Sequence, residues 1–352
     1  MSLPGALSVR LQRHWWRVRP SWLAVLLLPV SWLYEALAEA NRLIWHSGWR
    51  RAEKMPVPVL VVGNLIAGGA GKTPTTMALL DWLRDEGWTP GVVSRGYGRL
   101  QHDLHLIGPL STALQCGDEP LLIWRRTGAP TAVSPDRAAA AQALLAAHPR
   151  VDILVSDDGL QHWRLHADWK LVVFDGRGAG NGCLLPAGPL RQRMTARPSA
   201  GTFVLYNSAQ PSTNWPGACA TRKLAGAVRL QDWWQGQSAT VVALDALAAQ
   251  SRSQAVCAAA GIAEPERFFR MLEEAHLRLG RLPMADHASL DQPPWRAGSV
   301  VLVTEKDAAK LDPKAACNAQ VWVVPLDYQL PAALTSSLRA VLQPISGTRH
   351  DR

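Results

Sequence analysis

The sequence is poor in cysteine and has no pair of cysteines spaced for a metal site. The cysteines are odd in number and scattered, and no two form a C-x-x-C pair. Disulfide-stabilised secreted domains and zinc modules both need closely spaced pairs. The sequence therefore argues against either class and is typical of a protein in a reducing compartment. The five cysteines are Cys116, Cys183, Cys219, Cys257 and Cys317.

Acidic residues are outnumbered, with 28 Asp and Glu against 37 Lys and Arg, which gives a formal net charge of +9. A positive surplus of this kind favours an anionic partner. The zinc-finger spacing and the aromatic signature of common nucleic-acid-binding modules are both missing. We therefore expect no nucleic-acid partner, and we expect an anionic lipid or a phosphorylated substrate instead.

A hydrophobic run long enough to span a bilayer is also missing. The uncharged, mostly apolar run 22–34 has 13 residues, short of the roughly 20 that a spanning helix needs. Arginines flank it, and six of the 16 tryptophans lie in the first 49 residues. Indole rings and arginines favour the headgroup layer, so segment 1–54 is predicted to be helical and to lie in or dip into a membrane surface. Two alternatives stay open: a secretory signal peptide, with Ala36–Ala38 resembling a cleavage site, and a core helix of a soluble protein.

A glycine-rich loop stands between a predicted strand and a predicted helix. The apolar run Pro58–Asn64 reads as a buried strand, the loop Ile66–Thr73 ends in Gly-Lys-Thr, and Pro74–Glu86 reads as a helix. This order is the context of a P-loop, which predicts binding of ATP and Mg²⁺. Lys72 is expected to bridge the β- and γ-phosphates, and the Thr73 hydroxyl is expected to ligate Mg²⁺.

The rest of the loop supplies backbone N–H groups that converge on phosphate oxygens. The predicted nucleotide-binding residues are Gly68, Gly69, Ala70, Gly71, Lys72 and Thr73. The first position of the pattern is usually Gly or Ala, and here it is Ile66.

A second acidic motif supports the first. The run Val151–Gly159 is an apolar strand that ends in the paired acids Asp157 and Asp158. A carboxylate at the carboxyl end of a strand holds Mg²⁺ or its water in P-loop enzymes. Both aspartates are therefore candidate metal ligands.

Strand-like and helix-like runs alternate through the remaining chain, which is typical of βαβ units. We predict an α/β, P-loop NTPase-like fold: a mostly parallel sheet with helices on both faces, plus a second, smaller α/β domain. The predicted divisions are the membrane-associated segment 1–54, a P-loop kinase domain 55–206, a linker 207–217 and the smaller domain 218–352.

The motifs together resemble those of the tetraacyldisaccharide 4'-kinases, the lipid A 4'-kinases of Gram-negative bacteria. The matching stretches occur in the family's order, and one departure is Gln192, where the family usually has Glu. The stretches are Val62–Pro74, Ser94–Gly98, Gly117–Pro120, Asp157–His162, Gly180–Gly182, Leu185–Arg191, Gly261–Phe269, Asp286–His287 and Thr304–Asp307.

This resemblance implies a function and a location. It implies transfer of the γ-phosphate of ATP to the 4'-hydroxyl of tetraacyldisaccharide 1-phosphate, which yields lipid IVA in lipid A biosynthesis. It also implies a peripheral or monotopic enzyme at the cytoplasmic face of the bacterial inner membrane, with a cleft between two α/β domains.

The resemblance further implies roles for residues. Asp118 matches the general base and His287 its orienting partner, while Glu119 joins Asp157 and Asp158 as a candidate metal ligand. Three basic residues are candidates for substrate binding: Arg95, His162 and Arg191. The Thr304–Asp307 stretch matches without an evident role.

Two rival functions share the P-loop and the acidic strand end. One is an ATPase that acts as a switch or membrane-targeting factor. The other is a kinase or synthetase for a soluble metabolite, which the Trp- and Arg-rich N-terminus disfavours.

Overall fold

The computed structural model of the protein describes residues 14–17, 19–99, 102–286, 288–313 and 318–346. The helices are α1 (Trp22–His46), α2 (Lys72–Asp85), α3 (Ala113–Cys116), α4 (Asp118–Thr127), α5 (Arg137–Ala147), α6 (Leu230–Trp234), α7 (Val241–Gln250), α8 (Pro265–Glu274), α9 (Glu305–Ala308) and α10 (Ala332–Ser346). The first strands are β1 (Val59–Gly63), β2 (Pro90–Ser94), β3 (His105–Leu106), β4 (Thr131–Val133), β5 (Ile153–Asp157), β6 (Trp169–Asp175), β7 (Thr202–Asn207) and β8 (Ala218–Cys219). The later strands are β9 (Thr221–Leu224), β10 (Val228–Arg229), β11 (Val256–Ala260), β12 (Leu279–Pro283), β13 (Val300–Val303), β14 (Gln320–Val323) and β15 (Leu326–Gln329).

An eight-stranded sheet carries the P-loop. Its order is β3-β4-β2-β5-β1-β6-β7-β8, and every pairing is parallel except that of the edge strand β3. β1 and β5 are adjacent, with Val62 opposite Asp157. The loop after β1 and the acids after β5 therefore meet at the carboxyl edge of the sheet, where ligands of open α/β sheets bind.

Helices cover both faces of this sheet, as the predicted fold class requires. On one face α2 packs Leu79, Leu80 and Leu83 against the strands, and on the other α5 packs Ala141 and Leu144. These side chains are fully buried, and each buried leucine contributes roughly 1.5–3 kcal/mol to stability. The predicted α/β fold is confirmed.

A second, five-stranded sheet follows in the order β10-β14-β13-β11-β12 and is parallel apart from β10. Apolar clusters lie on both of its faces, one around Val301 and Val303 and one around Phe269 and Leu302. Strands β9 and β15 form a separate antiparallel pair. We call the parts built on the eight- and five-stranded sheets the first and second units.

The chain passes between the two units more than once. β8 pairs with β7 in the first unit although it follows the predicted linker. α10 comes last in the chain, yet its Leu334, Leu338 and Leu342 pack against the first sheet beside α2. The predicted domain boundaries stay a proposal, and these contacts favour assigning α10 to the first unit.

Helix α1 has 25 residues and continues well beyond the apolar run from which it was predicted. Of the described residues, 22–45 form one helix that is long and apolar enough to cross a membrane by length and composition, with 11% of its most apolar window buried. The argument that this segment is too short to span is therefore wrong, because the helix includes the residues after Tyr34. So high an exposure also disfavours a soluble core helix.

One edge of α1 is nevertheless anchored to the first unit. Ser31 donates a hydrogen bond to the Leu184 carbonyl at 3.0 Å, and the Tyr34 hydroxyl donates to the Arg191 carbonyl at 2.8 Å. Helix α1 thus lies beside the loop that carries Arg191, at the carboxyl edge of the sheet.

Candidate active site

The P-loop is shaped by glycines at positions that a side chain would disrupt. Gly71 precedes α2 with φ of 80°, a left-handed conformation that glycine adopts without strain. A Cβ atom on Gly71 would lie 2.4 Å from Asn207 Nδ2, which donates to the carbonyls of Ala70 and Gly71. Asn207, at the end of β7, therefore holds the P-loop in place through its side chain.

Lys72 extends toward the acids of β5. Its Nζ lies 3.2 Å from Asn64 Oδ1 and 3.5 Å from Asp158 Oδ1, and Asn64 Nδ2 donates to the Gly68 carbonyl at 2.9 Å. These contacts hold a buried ammonium group beside the amides of the loop. The arrangement suits binding of a nucleotide's terminal phosphates.

The paired aspartates have different environments. Asp157 is 1% exposed and accepts a hydrogen bond from Thr76 Oγ1 at 3.0 Å. Burial, with the nearby Glu119 and Asp158, raises the pKa of Asp157 to about 7. Burial acts to raise the pKa of Asp158 as well, but Lys72, Arg191 and Arg137 outweigh it and lower that pKa. Asp158 is therefore the stably ionised member of the pair.

Asp118 and Glu119 open α4 across the cleft from the second unit. Asp118 is buried, and its Oδ1 accepts from the Glu119 backbone N–H at 2.9 Å. Lys306 Nζ lies 2.7 Å from Glu119 Oε1, 3.0 Å from Asp286 Oδ1 and 4.0 Å from Asp118 Oδ2. The predicted partner of Asp118, His287, lies outside the described residues, while its neighbour Asp286 belongs to this cluster.

Lys306 is a site residue to which the sequence assigned no role. Burial alone would lower its pKa, but Glu119, Asp286 and Asp118 together raise it well above its usual range. The only sequence signal was the Thr304–Asp307 match, which cannot reveal that Lys306 faces acids of another unit. Only the folded structure, which brings the two units together, shows that Lys306 lies beside Glu119.

The predicted substrate residues lie together in one cavity of mixed charge. Arg95, His162 and Arg191 line a cavity of about 480 Å³ with Asp118, Asp157 and Asp158. Arg191 Nη1 is 3.1 Å from Asp158 Oδ1, so its position is set by that carboxylate.

Arg137 and Tyr34 also line this cavity and were not predicted from the sequence. Arg137 Nη2 donates to the Asp158 carbonyl at 2.9 Å, and its backbone N–H donates to His162 Nε2 at 3.3 Å. Burial, followed by the charge of Arg137, lowers the pKa of His162 to about 4. His162 is thus a neutral acceptor near pH 7.

A second cavity, of about 190 Å³, lies between the P-loop and the second unit. Glu119 lines both cavities, so they meet at the start of α4. The apolar side of this cavity suits a flat aromatic group such as a nucleobase. Its larger apolar lining residues are Met77, Leu122, Ile262, Phe268, Met271, Val324 and Leu326.

Comparison with known proteins assigns the chain to a family. The sequence profile of the tetraacyldisaccharide-1-P 4'-kinases matches residues 23–343. The chain belongs to this family. Its relatives include the tetraacyldisaccharide 4'-kinase of Leptothrix cholodnii, 46% identical over 349 residues that cover 96% of each chain. The corresponding protein of Methylibium petroleiphilum is also 46% identical, over 97% of this chain and 96% of the relative.

Among solved structures, the LpxK protein of Aquifex aeolicus in complex with ATP is similar, with a TM-score of 0.73. It covers 92% of this chain and 99% of its own, at 23% identity, so the likeness supports the fold alone. The family resemblance inferred from the motifs is confirmed. The roles of individual residues stay predictions, since neither match assigns them.

The donor set around the P-loop fits a magnesium ion that is held partly by nucleotide. No group of three or more His, Cys, Asp or Glu side chains forms a metal cage within the described part of the chain. Mg²⁺ in such enzymes is held by one or two carboxylates together with substrate phosphates. Burial, together with Glu119 and Asp158, raises the pKa of Asp157, and a cation bound beside this carboxylate would offset that cost. Thr73 and Glu119 line the adjacent nucleotide cavity.

The family's usual Glu is replaced by Gln192, which accepts a hydrogen bond from Gln161 Nε2 at 3.2 Å. Two amides therefore lie at the edge of the cavity that Gln161 lines. Any role of this position in this chain depends on hydrogen bonding rather than on charge.

Proposed function

We propose that this protein transfers the γ-phosphate of ATP to the 4'-hydroxyl of tetraacyldisaccharide 1-phosphate, which yields lipid IVA. The observation that carries the proposal is the meeting of two cavities at Glu119, next to Asp118. One cavity has a P-loop and an apolar wall, and the other is lined by three arginines and four acids beside the apolar helix α1. Membership of the tetraacyldisaccharide-1-P 4'-kinase family supplies the identity of the acceptor.

The nucleotide occupies the cavity at the P-loop. Lys72 and the backbone amides of Gly69–Thr73 bind its terminal phosphates, and the apolar wall receives the base. Thr73 and acids among Glu119, Asp157 and Asp158 would hold Mg²⁺, which would supply charge neutralisation for the transferring phosphoryl group.

The acceptor sugar occupies the cavity that Arg95, His162 and Arg191 line. Arg95, Arg137 and Arg191 supply guanidinium groups that suit an anionic sugar phosphate. The cavity lies beside α1, and Tyr34 of that helix contributes to its wall. A lipid held in the bilayer can therefore present its headgroup without leaving the membrane.

Asp118 acts as the general base in this scheme. The oxygen of the 4'-hydroxyl forms a bond to the γ-phosphorus, the bond from that phosphorus to the β-phosphate bridging oxygen breaks, and ADP leaves. The hydroxyl proton passes to the Asp118 carboxylate. Positioning and charge neutralisation provide most of the rate enhancement in such reactions.

Membrane association follows from α1. Its exposed face carries large apolar side chains, among them Trp22 at 75% exposure and Leu26 at 67%. Such a face is stable in lipid and unfavourable in water. We propose that the protein sits at the cytoplasmic face of the inner membrane, where ATP is present.

Labelled ATP tests the proposal and separates its rivals. Detergent-solubilised protein is incubated with γ-labelled ATP and one of three additions: tetraacyldisaccharide 1-phosphate, the same disaccharide phosphate without acyl chains, or no acceptor. The proposal predicts efficient labelling of the lipid. ATP hydrolysis that is the same in all three reactions, without labelled sugar, would indicate a switch ATPase instead. Preferential labelling of the soluble sugar would indicate a soluble-metabolite kinase.

A further inference from the structure

One matched stretch, Gly261–Phe269, enters the scheme above only through its apolar side chains, yet it also contacts the P-loop. It forms the turn after β11 and the first half of α8 in the second unit. A Cβ atom placed on Gly69 would lie 2.9 Å from Ala263 Cβ, so the two backbones approach as closely as a glycine allows. This stretch therefore closes one side of the nucleotide cavity.

Two arginines converge at this contact. Arg267 Nη2 donates to the Asn207 backbone carbonyl at 2.9 Å, and Arg222 Nη2 donates to the same oxygen. Asn207 is the residue whose side chain holds the carbonyls of Ala70 and Gly71. Both guanidinium groups therefore contact a residue that itself contacts the P-loop. Both arginines also line the nucleotide cavity.

The positive charge of Arg222 and Arg267 is only partly neutralised by nearby acidic side chains. Burial lowers the pKa of Arg222 to about 10, and the charge of Arg267 is the next cause. Asp175 lies near the pair but is bound to Arg177 at 2.5 Å, and Glu264 is 3.8 Å from Arg267. Arg222 makes no ion pair with any residue in the described ranges. Two like charges that share one carbonyl acceptor are expected to bind an anion readily.

We infer that Arg222 and Arg267 form a second phosphate-binding subsite for the nucleotide, in addition to Lys72 and the P-loop amides. The inference rests on the proposed function for the identity of the anion, a nucleoside di- or triphosphate. Arg222 comes from β9, which joins the two units, and Arg267 comes from the second unit. The nucleotide phosphates therefore hold the second unit against the P-loop through these residues.

The competing interpretation is that both arginines only fasten the Asn207 carbonyl and stabilise the fold. That role would need donors to the carbonyl but no ligand. It would also make nucleotide and nucleoside binding equally sensitive to their loss, since both depend on the same cavity walls. The two interpretations therefore differ in how strongly the effect depends on phosphate.

Binding measurements without acceptor separate the two. The full chain in detergent is titrated calorimetrically with Mg²⁺·ADP and, separately, with adenosine. The variants are Arg222→Gln and Arg267→Gln, with Arg267→Lys as the charge-conserving variant. Arg270→Gln is the matched control, because Arg270 is an exposed arginine on the same helix and its loss removes the same charge.

We expect each of Arg222→Gln and Arg267→Gln to raise the Kd for ADP about tenfold, the effect of one charge-assisted hydrogen bond. The Kd for adenosine should stay within about twofold, Arg267→Lys should lose less than Arg267→Gln, and Arg270→Gln should match the wild type. Unchanged ADP affinity in both variants would overturn the inference. So would a parallel loss of ADP and adenosine affinity, with or without a lower melting temperature.

These outcomes are independent of the kinase assay. A protein that fails to label the lipid can still show phosphate-dependent loss of ADP binding, in which case the proposed function falls and the subsite stands. If the protein labels the lipid but both variants bind ADP as the wild type does, the proposed function stands and the subsite is wrong.

Discussion

At the scale of single residues, the charges around each carboxylate of the site decide which role that carboxylate can take. Asp158 is held ionised by three cations, Asp157 is buried and partly protonated, and Asp118 lies near a lysine of the other unit. Paired groups whose environments push their pKa values apart are a common basis for assigning acid, base and ligand. Asp118 is the member of this set that lies next to Glu119, where the two cavities meet.

Replacement of that carboxylate tests the base directly. We expect Asp118→Asn to lower kcat by about 10²–10⁴-fold, the usual contribution of a general base. The Kd for ATP should stay within about twofold, because the P-loop contacts are untouched. Turnover of labelled lipid and calorimetric ATP binding measure the two quantities. An equal loss of ATP affinity would remove Asp118 from this role.

His162 gives a prediction for pH and stability. Its pKa is 6.5 ordinarily and about 4 in the fold, so between these values the unfolded chain binds more protons. Stability must then rise as the pH rises from about 4 to 6.5 and stay level above that range, as far as His162 is concerned. We expect the melting temperature of His162→Gln to fall less than that of the wild type between about pH 7 and pH 5. Parallel profiles would show that His162 is not buried as described.

The P-loop residues and the aspartates after β5 could be predicted because their chemistry is local: a glycine loop between strand and helix, and acids at a strand's end. The roles of Arg137 and Lys306 could not be predicted in this way. Their roles depend on contacts with residues 21 and 187 positions away, such as the bonds from Arg137 to Asp158 and from Lys306 to Glu119. Sequence spacing carries no information about such contacts, although the family motif did mark Lys306.

At the scale of elements, α1 is the least predictable part of the chain. The apolar run gave its start, and Ser21 caps that start by accepting a hydrogen bond from the Ala24 N–H at 3.3 Å. The polar residues among 35–46 hid its full apolar length, because only the uninterrupted run 22–34 was counted, whereas the helix continues to His46. One row of side chains packs on the first unit, and the rest are exposed.

Two substitutions on that exposed face test its function. Leu26 and Leu33 are 67% and 61% exposed, so the double variant Leu26→Glu/Leu33→Glu leaves the packed edge intact. We expect binding to anionic phospholipid vesicles to fall about 100-fold or more, since each leucine contributes roughly 1.5–3 kcal/mol when buried in lipid. Turnover of detergent-solubilised acceptor should change little. Vesicle flotation measures the first quantity.

The matched control is Val241→Glu/Val242→Glu, which changes two exposed aliphatic residues at the start of α7. It should float with vesicles as the wild type does. Equal release of both variants would show that general charge, rather than α1, controls association. Full retention of the α1 variant would point to another lipid-binding surface.

At the scale of the whole molecule, α4 connects the units at both of its ends. Its first residues, Asp118 and Glu119, face Lys306, and near its end Arg126 is 2.7 Å from the buried Glu305. The candidate base is therefore placed by a helix that docks along the second unit. Catalysis should depend on that docking.

Lys306→Met tests this dependence. The variant leaves Asp118, Glu119 and Asp286 without their shared cation, which is expected to cost roughly 3 kcal/mol of stability and to lower kcat at least tenfold. Lys306→Arg keeps the charge and should recover part of the turnover. Thermal unfolding and steady-state kinetics measure both effects. Normal turnover in Lys306→Met would show that the acids are positioned by the first unit alone.

The most direct test of the central claim is the site of phosphorylation on the lipid. The product of the wild-type protein with ATP and tetraacyldisaccharide 1-phosphate is examined by two-dimensional ¹H–³¹P correlation spectroscopy. The account predicts a second phosphorus resonance that couples to the H4' proton of the non-reducing sugar. Phosphorus coupled to any other sugar proton, or release of inorganic phosphate with the lipid unchanged, would contradict it.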